Sequence, residues 1–418
     1  MADPIRFEFA IYYLPKATKD PVAALRRLPA VLSKKVSVVD EIRGSSPDPS
    51  VYVRLEKDAR RSYPPPDLPS LKYFGRGLNT NQATALQASR EVLILDFVHS
   101  TRVVWDALRT ANDLVERIAR DTDGLIWDNE TREVFTPDAW DQRRLDAWAA
   151  SIPNVATQTV IHAYQDDGRV RNITLGMTKM GLPDVVVDGF AWSSDRPVGN
   201  LINAFCQMMA EGASVEGNGD FDLDLNAIRD SDVRESQLKS LINNATAVAR
   251  LRLRRAEREE GDPVNRLVRI SAERYEGGDP QTKLDKMIST LFGSTESTVS
   301  IGHTDELRKA SDKARAQLTA LKQAFARGLR PAEFILVKAP FATPNGSNEW
   351  MWVEVTSWKA DSIGGVLQND PSSVPSLHAG QTVLVREADV FDYIRQFPDG
   401  TREGNETGKI IERMQDVR

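Results

Sequence analysis

The clearest hydrophobic patterns lie at the two ends of the chain. Ile5 to Leu14 (IRFEFAIYYL) is dense in aromatic and β-branched residues and predicts a strand. Glu91 to Val98 (EVLILDFV) predicts a buried strand. From Arg102 to Arg120 the apolar positions Val103, Val104, Ala107, Leu108, Ala111, Leu114, Val115, Ile118 and Ala119 recur at helical spacing, so an amphipathic helix is expected. Leu125 to Trp127 and Glu133 to Phe135 read as strands around the turn Asp128-Asn129-Glu130, and Pro137-Asp138 opens a helix. Upstream, Asp20-Pro21 opens a short helix, Val36 to Val39 and Val51 to Leu55 are short strands, and Thr80 to Ser89 is helical.

The middle of the chain repeats the mixture. Thr157 to Tyr164, Asn172 to Met177 and Val185 to Val187 predict strands, and Asp195 to Met209 a helix. Phe221 to Leu225 alternates with acids and predicts a half-buried strand. Asp232 to Glu259 reads as one long helix, followed by a strand at Arg266 to Ile270. Two helices, Lys283 to Phe292 and Asp305 to Ala326, lead to a strand-rich stretch. There Phe334 to Phe341, Glu349 to Trp358, Ile363 to Gln368 and Thr382 to Arg386 are strands, and Asp389 to Ile394 a turn or short helix. In EWMWVEVTSW, Trp350, Trp352, Glu354 and Thr356 share one face of the pleat, and Met351, Val353, Val355 and Ser357 the other.

The expected class is α+β. An N-terminal α/β-sandwich body is read as two related subdomains, 1–155 and 156–275. A helical connector (276–330), a small barrel-like β module (331–397) and a charged, partly ordered tail (398–418) follow.

Composition narrows the function. The net charge of −6 gives no general attraction to nucleic acid or anionic lipid. The single cysteine, Cys206, rules out an intramolecular disulfide and suits a reducing compartment. The N-terminus lacks the pattern of a secretory signal, and no apolar run reaches the roughly 20 residues of a membrane span, so a cytoplasmic protein with no membrane partner is expected.

Most chemistry-bearing motifs are missing. His99, His162, His303 and His378 form no metal-binding pattern, so no metal and no cofactor is assigned. The acids from Asp220 to Asp224 lack the glycine and glutamate of a calcium loop. Gly75-Arg76-Gly77 is not a nucleotide loop and reads as a turn ahead of a cap at Asn79. There is no GxSxG elbow, and Cys206 sits in an apolar helix pattern. One basic cluster, Arg250 to Arg258, is expected near the end of the long helix. It supports nucleic-acid binding as one alternative and a solvated helix end as the plainer reading.

Lys338-Ala339-Pro340-Phe341, Glu349-Trp350-Met351-Trp352-Val353, Gly365 with Leu367-Gln368-Asn369-Asp370-Pro371, Gly380 before Val383, and Asp392-Tyr393 together resemble the YegJ-like family of bacterial domains of unknown function. The resemblance implies a bacterial origin and no known reaction, and families of this kind are often linked to immunity or defence loci. Relatives often carry histidine where this chain has Trp350, and Asp-Trp where it has Asp392-Tyr393, so no proton transfer or metal role falls to position 350. A second similarity, over 91–219, is to another uncharacterised bacterial family that pairs an "iwD" strand with a "GMxxxGLPD" turn. Here these are Leu125 to Asp128 and Gly176-Met177 through Asp184.

The favoured function is non-enzymatic binding of another protein or a small ligand. Lys338, Glu349, Trp350, Trp352 and Asn369 are the binding residues, with a tryptophan core as the plainer reading of that face. The alternative is an enzyme whose carboxylates, Asp96, Asp128, Glu130 and Asp184, converge in the fold.

Overall fold

β1 (Ile5–Tyr13) is central to the first of three sheets, and its pattern explains why. Ile5, Phe7, Phe9, Ile11 and Tyr13 enter the main apolar core on one face, while Ala10 and Tyr12 enter a smaller cluster on the other. A strand buried on both faces must be interior. β1 pairs antiparallel with β5 (Glu91–His99) and with β6 (Leu125–Asp128). With β2 (Ser37–Val39), β3 (Ser50–Glu56), β4 (Gly75–Arg76) and β7 (Glu133–Phe135) these make a seven-stranded sheet ordered β2-β3-β5-β1-β6-β7-β4.

The helix Val104–Thr122 covers the first face through Leu108, Ala111, Leu114, Val115, Ile118 and Ala119, as its spacing predicts. It ends at Asp123 in the left-handed region (φ 53°), where the Gly124 N–H returns to the Ala119 carbonyl at 2.9 Å. Helices Leu68–Phe74 and Thr80–Leu86 supply Leu71 and Leu86 to the second face. Asn79 caps the latter in a reciprocal box with Gln82.

This computed structural model describes residues 4–15, 35–39, 49–148, 150–166, 169–190, 194–242, 244–277, 280–293, 305–330, 333–343, 348–368, 371, 374 and 376–415. The helix expected from Asp20 lies outside them, as does Asn369.

The second sheet has six strands, ordered β11-β12-β13-β10-β9-β8. These are β8 (Val160–Asp166), β9 (Arg169–Leu175), β10 (Asp184–Phe190), β11 (Asp220–Asp224), β12 (Val248–Arg255) and β13 (Leu267–Ser271). Helices Asp195–Ala210 and Pro280–Phe292 pack on it. Their Leu201, Ile202, Phe205, Leu284, Met287 and Leu291 join the same apolar core that holds Phe9 and Leu114 of the first sheet.

The long helix expected over Asp232 to Glu259 does not form. Its first part is the helix Ser231–Lys239, and its last part is the strand β12. The deciding signal is a two-residue period. Ala249, Leu251 and Leu253 are buried while Arg250, Arg252 and Arg254 alternate with them on the other face. The basic cluster is therefore a strand face and not a helix end. Its arginines meet acids: Arg250 contacts Glu216, Asp220 and Asp222, Arg252 contacts Asp220 and Glu273, and Arg254 contacts Glu273.

The third sheet is antiparallel throughout, six strands ordered β17-β16-β15-β14-β18-β19, and it is open, not closed into the barrel expected. Its strands are β14 (Phe334–Ala342), β15 (Asn348–Lys359), β16 (Ser362–Leu367), β17 (Thr382–Arg386), β18 (Asp392–Gln396) and β19 (Arg402–Gly404). Asp392 thus begins a strand where a turn or short helix was expected. One face carries Ile335, Val337, Met351, Val353, Ile363 and Val385 and is covered by Ala314, Leu318 and Leu321. Those three lie on helices Asp305–Ala316 and Leu318–Ala326.

The charged tail is built into this sheet. β19 pairs with β18, and the helix Glu406–Gln415 packs Ile410 against Leu307 and Ala310. Buried Asp392 anchors that helix, accepting the Thr407 N–H at 2.8 Å and its hydroxyl at 2.6 Å. Gly404 turns the chain at φ +89°, and a Cβ there would stand 2.1 Å from the Tyr393 carbonyl oxygen. The turn before β17 touches the second sheet's layer: Arg169 donates to the Gly380 carbonyl, and the Thr282 hydroxyl to the Ala379 carbonyl at 3.2 Å.

Candidate functional site

Lys338, Trp350 and Trp352, three of the expected binding residues, fall on the face of the third sheet opposite Met351, Val353 and Val355. Trp350 and Trp352 are both half-buried there. Register explains their neighbours: Trp352 lies across from Lys338, and Trp350 from Pro340. The Lys338 ammonium stands 5.4 Å from the Trp352 ring centroid, a cation–π contact. Trp350 packs on Phe391 with ring centroids 4.5 Å apart. Trp352 also borders a small cluster of Phe334, Leu336 and Ile394. Glu349 is half-buried one residue before Trp350 and directly across from Phe341. Four of the five residues are thus close in the sheet's register. Lys338, Trp350 and Trp352 form an aromatic and cationic patch of mixed exposure, neither the core layer nor fully solvated, while alternation puts Glu349 on the other side of the pleat with Met351. Phe391, missed from the sequence, belongs to the patch; the signal was its position just before Asp392-Tyr393.

Trp358 behaves differently from the other two tryptophans. Its indole N–H donates to Glu387 at 2.7 Å, and Lys322 binds the same carboxylate at 2.7 Å. The pair ties the helix Leu318–Ala326 to the sheet.

The four carboxylates of the enzymatic alternative do not share one cleft. Asp96 lies on the face of the first sheet that carries Val92 and Ile94, across from Glu8. Asp128 lies on the opposite face with Ile126. There it meets the second motif segment in space: Lys179, on the 3-10 turn Met177–Met180, approaches Asp128 Oδ2 at 2.5 Å. Arg144 reaches Asp128 at 3.0 Å and Glu133 at 2.8 Å. All four side chains are 0% exposed.

Two of this buried quartet, Asp128 and Lys179, come from the strand Leu125–Asp128 and the segment 176–184, and Glu133 and Arg144 come from outside both. Burial disfavours the Asp128 carboxylate, but Lys179 and Arg144 outweigh it and hold the group below the usual carboxylate range. Asp128 Oδ1 also accepts the Glu130 and Thr131 N–H groups, so it closes the turn as well. Asp184 sits at the other end of the second motif. It accepts from the Thr174 hydroxyl, the Met177 N–H and the Asn265 side chain at 2.7–3.2 Å. Burial nevertheless lifts its carboxyl to about 6. Glu130, half-buried beside Asp128, is lifted to about 7 by burial and then by the Asp128 charge. Sequence alone did not single out Lys179, Arg144 or Glu133, because a lone charged residue in a turn, helix or strand end reads as a surface residue.

Cys206 is fully buried, and burial pushes its thiol far above the reactive range. His99 is buried against Phe7, and burial lowers its pKa. His162 stacks on Phe74. No group of three or more histidine, cysteine, aspartate or glutamate side chains placed to hold a metal occurs among the described residues. Among the same residues, no helix is long and apolar enough to cross a membrane.

Residues 304–415 match a family described as "Uncharacterized protein conserved in bacteria (DUF2314)". The match begins with the helix Asp305–Ala316, takes in the whole third sheet, and ends with the helix Glu406–Gln415. No curated protein and no solved structure matches the chain.

Proposed function

We propose that this is a cytosolic, non-enzymatic binding protein whose contact face is the Lys338, Trp350 and Trp352 side of the C-terminal sheet, with Glu349 next to Trp350 along the strand. The finer YegJ-like reading of 331–397 belongs to the same proposal. The observation that carries it is the half-buried state of Trp350 and Trp352 on the face turned away from the Met351 and Val353 core. A tryptophan that leaves part of its ring in water, beside a cation, has the mixed character of residues that dominate binding surfaces. The buried quartet argues in the same direction. Asp128, Glu133, Arg144 and Lys179 are sealed from solvent and bound to one another, an arrangement suited to holding two segments together.

The test is affinity capture from the native host with the wild-type chain and with Trp350→Ala/Lys338→Ala. The expected result is a partner recovered by the wild type and lost, tenfold or more, by the double variant with circular dichroism unchanged. Equal recovery by both, or none by either, counts against the proposal.

A further inference from the structure

The third sheet ends in two unlike edges. β19 is three residues long and carries Arg402 and Glu403, the short charged form that discourages strand pairing. β17 is a five-residue strand, Thr-Val-Leu-Val-Arg, without proline, and it pairs with β16 in unbroken register from Arg386↔Ser362 to Thr382↔Val366. Leu367 N–H donates to the Gln381 carbonyl at 2.9 Å, and Glu387 N–H to the Asp361 carbonyl at 2.7 Å. In an antiparallel ladder the residues that exchange such bonds alternate. Val383 and Val385 therefore turn their backbone groups toward β16. Thr382, Leu384 and Arg386 turn theirs out of the sheet, where no strand among the described residues pairs with them.

Side chains mark the same place. Val383 and Val385 enter the core, but Leu384 is 76% exposed. Its cross-strand neighbour on β16 is Gly364, which offers no side chain. Leu384 leans over that glycine, and its outer side has no same-face neighbour among the described strands.

We propose that β17 pairs antiparallel with β17 of a second copy of this chain, about a two-fold axis through Leu384, joining the two C-terminal sheets into one. A homodimer across a two-fold needs a self-complementary patch, and this strand is one. The axis sets Leu384 against Leu384 of the second copy, so each covers a side chain that is 76% exposed in the single chain. Arg386 then faces Thr382 of the second copy, and no like charges oppose each other. Arg386 is already neutralised within its own chain by Asp389, at 2.7 and 2.9 Å. The outward backbone groups at 384 pair with themselves, and those at 382 with those at 386. This inference is independent of the tryptophan face, which lies on β14 and β15.

The test uses the full-length chain with Leu384→Cys. Facing residues in such a pair have Cα atoms about 5.5 Å apart, within the span of a disulfide. Cys206 is buried and does not compete. Mild oxidation is expected to convert Leu384→Cys into a covalent dimer and to leave Thr382→Cys monomeric, because position 382 faces 386. In sedimentation the wild type is expected to dimerise with concentration. Leu384→Pro, which removes an outward N–H and no bond to β16, is expected to weaken the dimer tenfold or more. A wild type that stays monomeric at every concentration, or equal cross-linking at 382 and 384, overturns the proposal. If Leu384→Pro loses its native circular dichroism, the two cysteine variants decide alone.

Discussion

At the scale of single residues, the account rests on charges that burial has displaced. Glu130 is the plainest case, with a carboxyl lifted to about 7 beside the ionised Asp128. A carboxyl whose pKa is higher in the folded state than in the unfolded one binds more protons when folded. Its contribution to stability is therefore present at acid pH and is lost as pH rises from the ordinary glutamate range through about 7. Glu130→Gln should remove this loss. Denaturant unfolding at pH 8 should show the variant more stable than wild type, by on the order of 2 kcal/mol, with the difference shrinking toward pH 5. A parallel pH profile for the two proteins would contradict it. Lys179 makes the complementary prediction. Lys179→Met leaves Asp128 buried without its nearest cation and should cost about 3–5 kcal/mol in urea unfolding. Asp128→Asn with Lys179→Met should cost less than the sum of the single changes, since no uncompensated charge remains from that pair.

At the scale of elements, how much was legible depended on whether burial followed one period. β1, β5 and the helix Val104–Thr122 were readable because their apolar positions repeat at two or at 3.6 residues per turn. β12 was not, because Leu238, Leu241, Ile242, Ala245, Val248 and Ala249 recur at helical spacing and carry that pattern into the start of the strand, masking the two-residue period that follows. Burial of Leu251 and Leu253 against the helical layer decided it. The tail was misread for a related reason. Its helix depends on Asp392, which caps it from a different strand, and no local pattern announces a partner 15 residues away. Removing that anchor should be measurable. Asp392→Ala leaves the Thr407 N–H and hydroxyl without their acceptor and should destabilise the C-terminal region by about 1–3 kcal/mol. Hydrogen exchange should report the loss first in 405–415; uniform exchange across the third sheet instead would argue that the helix is not held separately by Asp392. Asp392 thereby has a structural role in the fold.

At the scale of the whole molecule, two sheets share one core and a third carries its own, joined to them through contacts that include the turn at Ala379-Gly380. The α+β class was readable from the mixture of elements. The convergence of Asp128 with Lys179 was not, because 51 positions separate them and only the packing of the two sheets brings them together. The tryptophan patch was half legible. Alternation placed Trp350 and Trp352 on one face, and the fold supplied Phe391 from a neighbouring segment. The face is the centre of the functional account. Hydrogen–deuterium exchange of the full-length chain, alone and with the captured partner, examines it most directly. The account predicts new protection concentrated in β14 and β15 around Lys338, Trp350 and Trp352, absent in Trp350→Ala/Lys338→Ala. Protection confined to the first two sheets, with β14 and β15 unchanged, would contradict it.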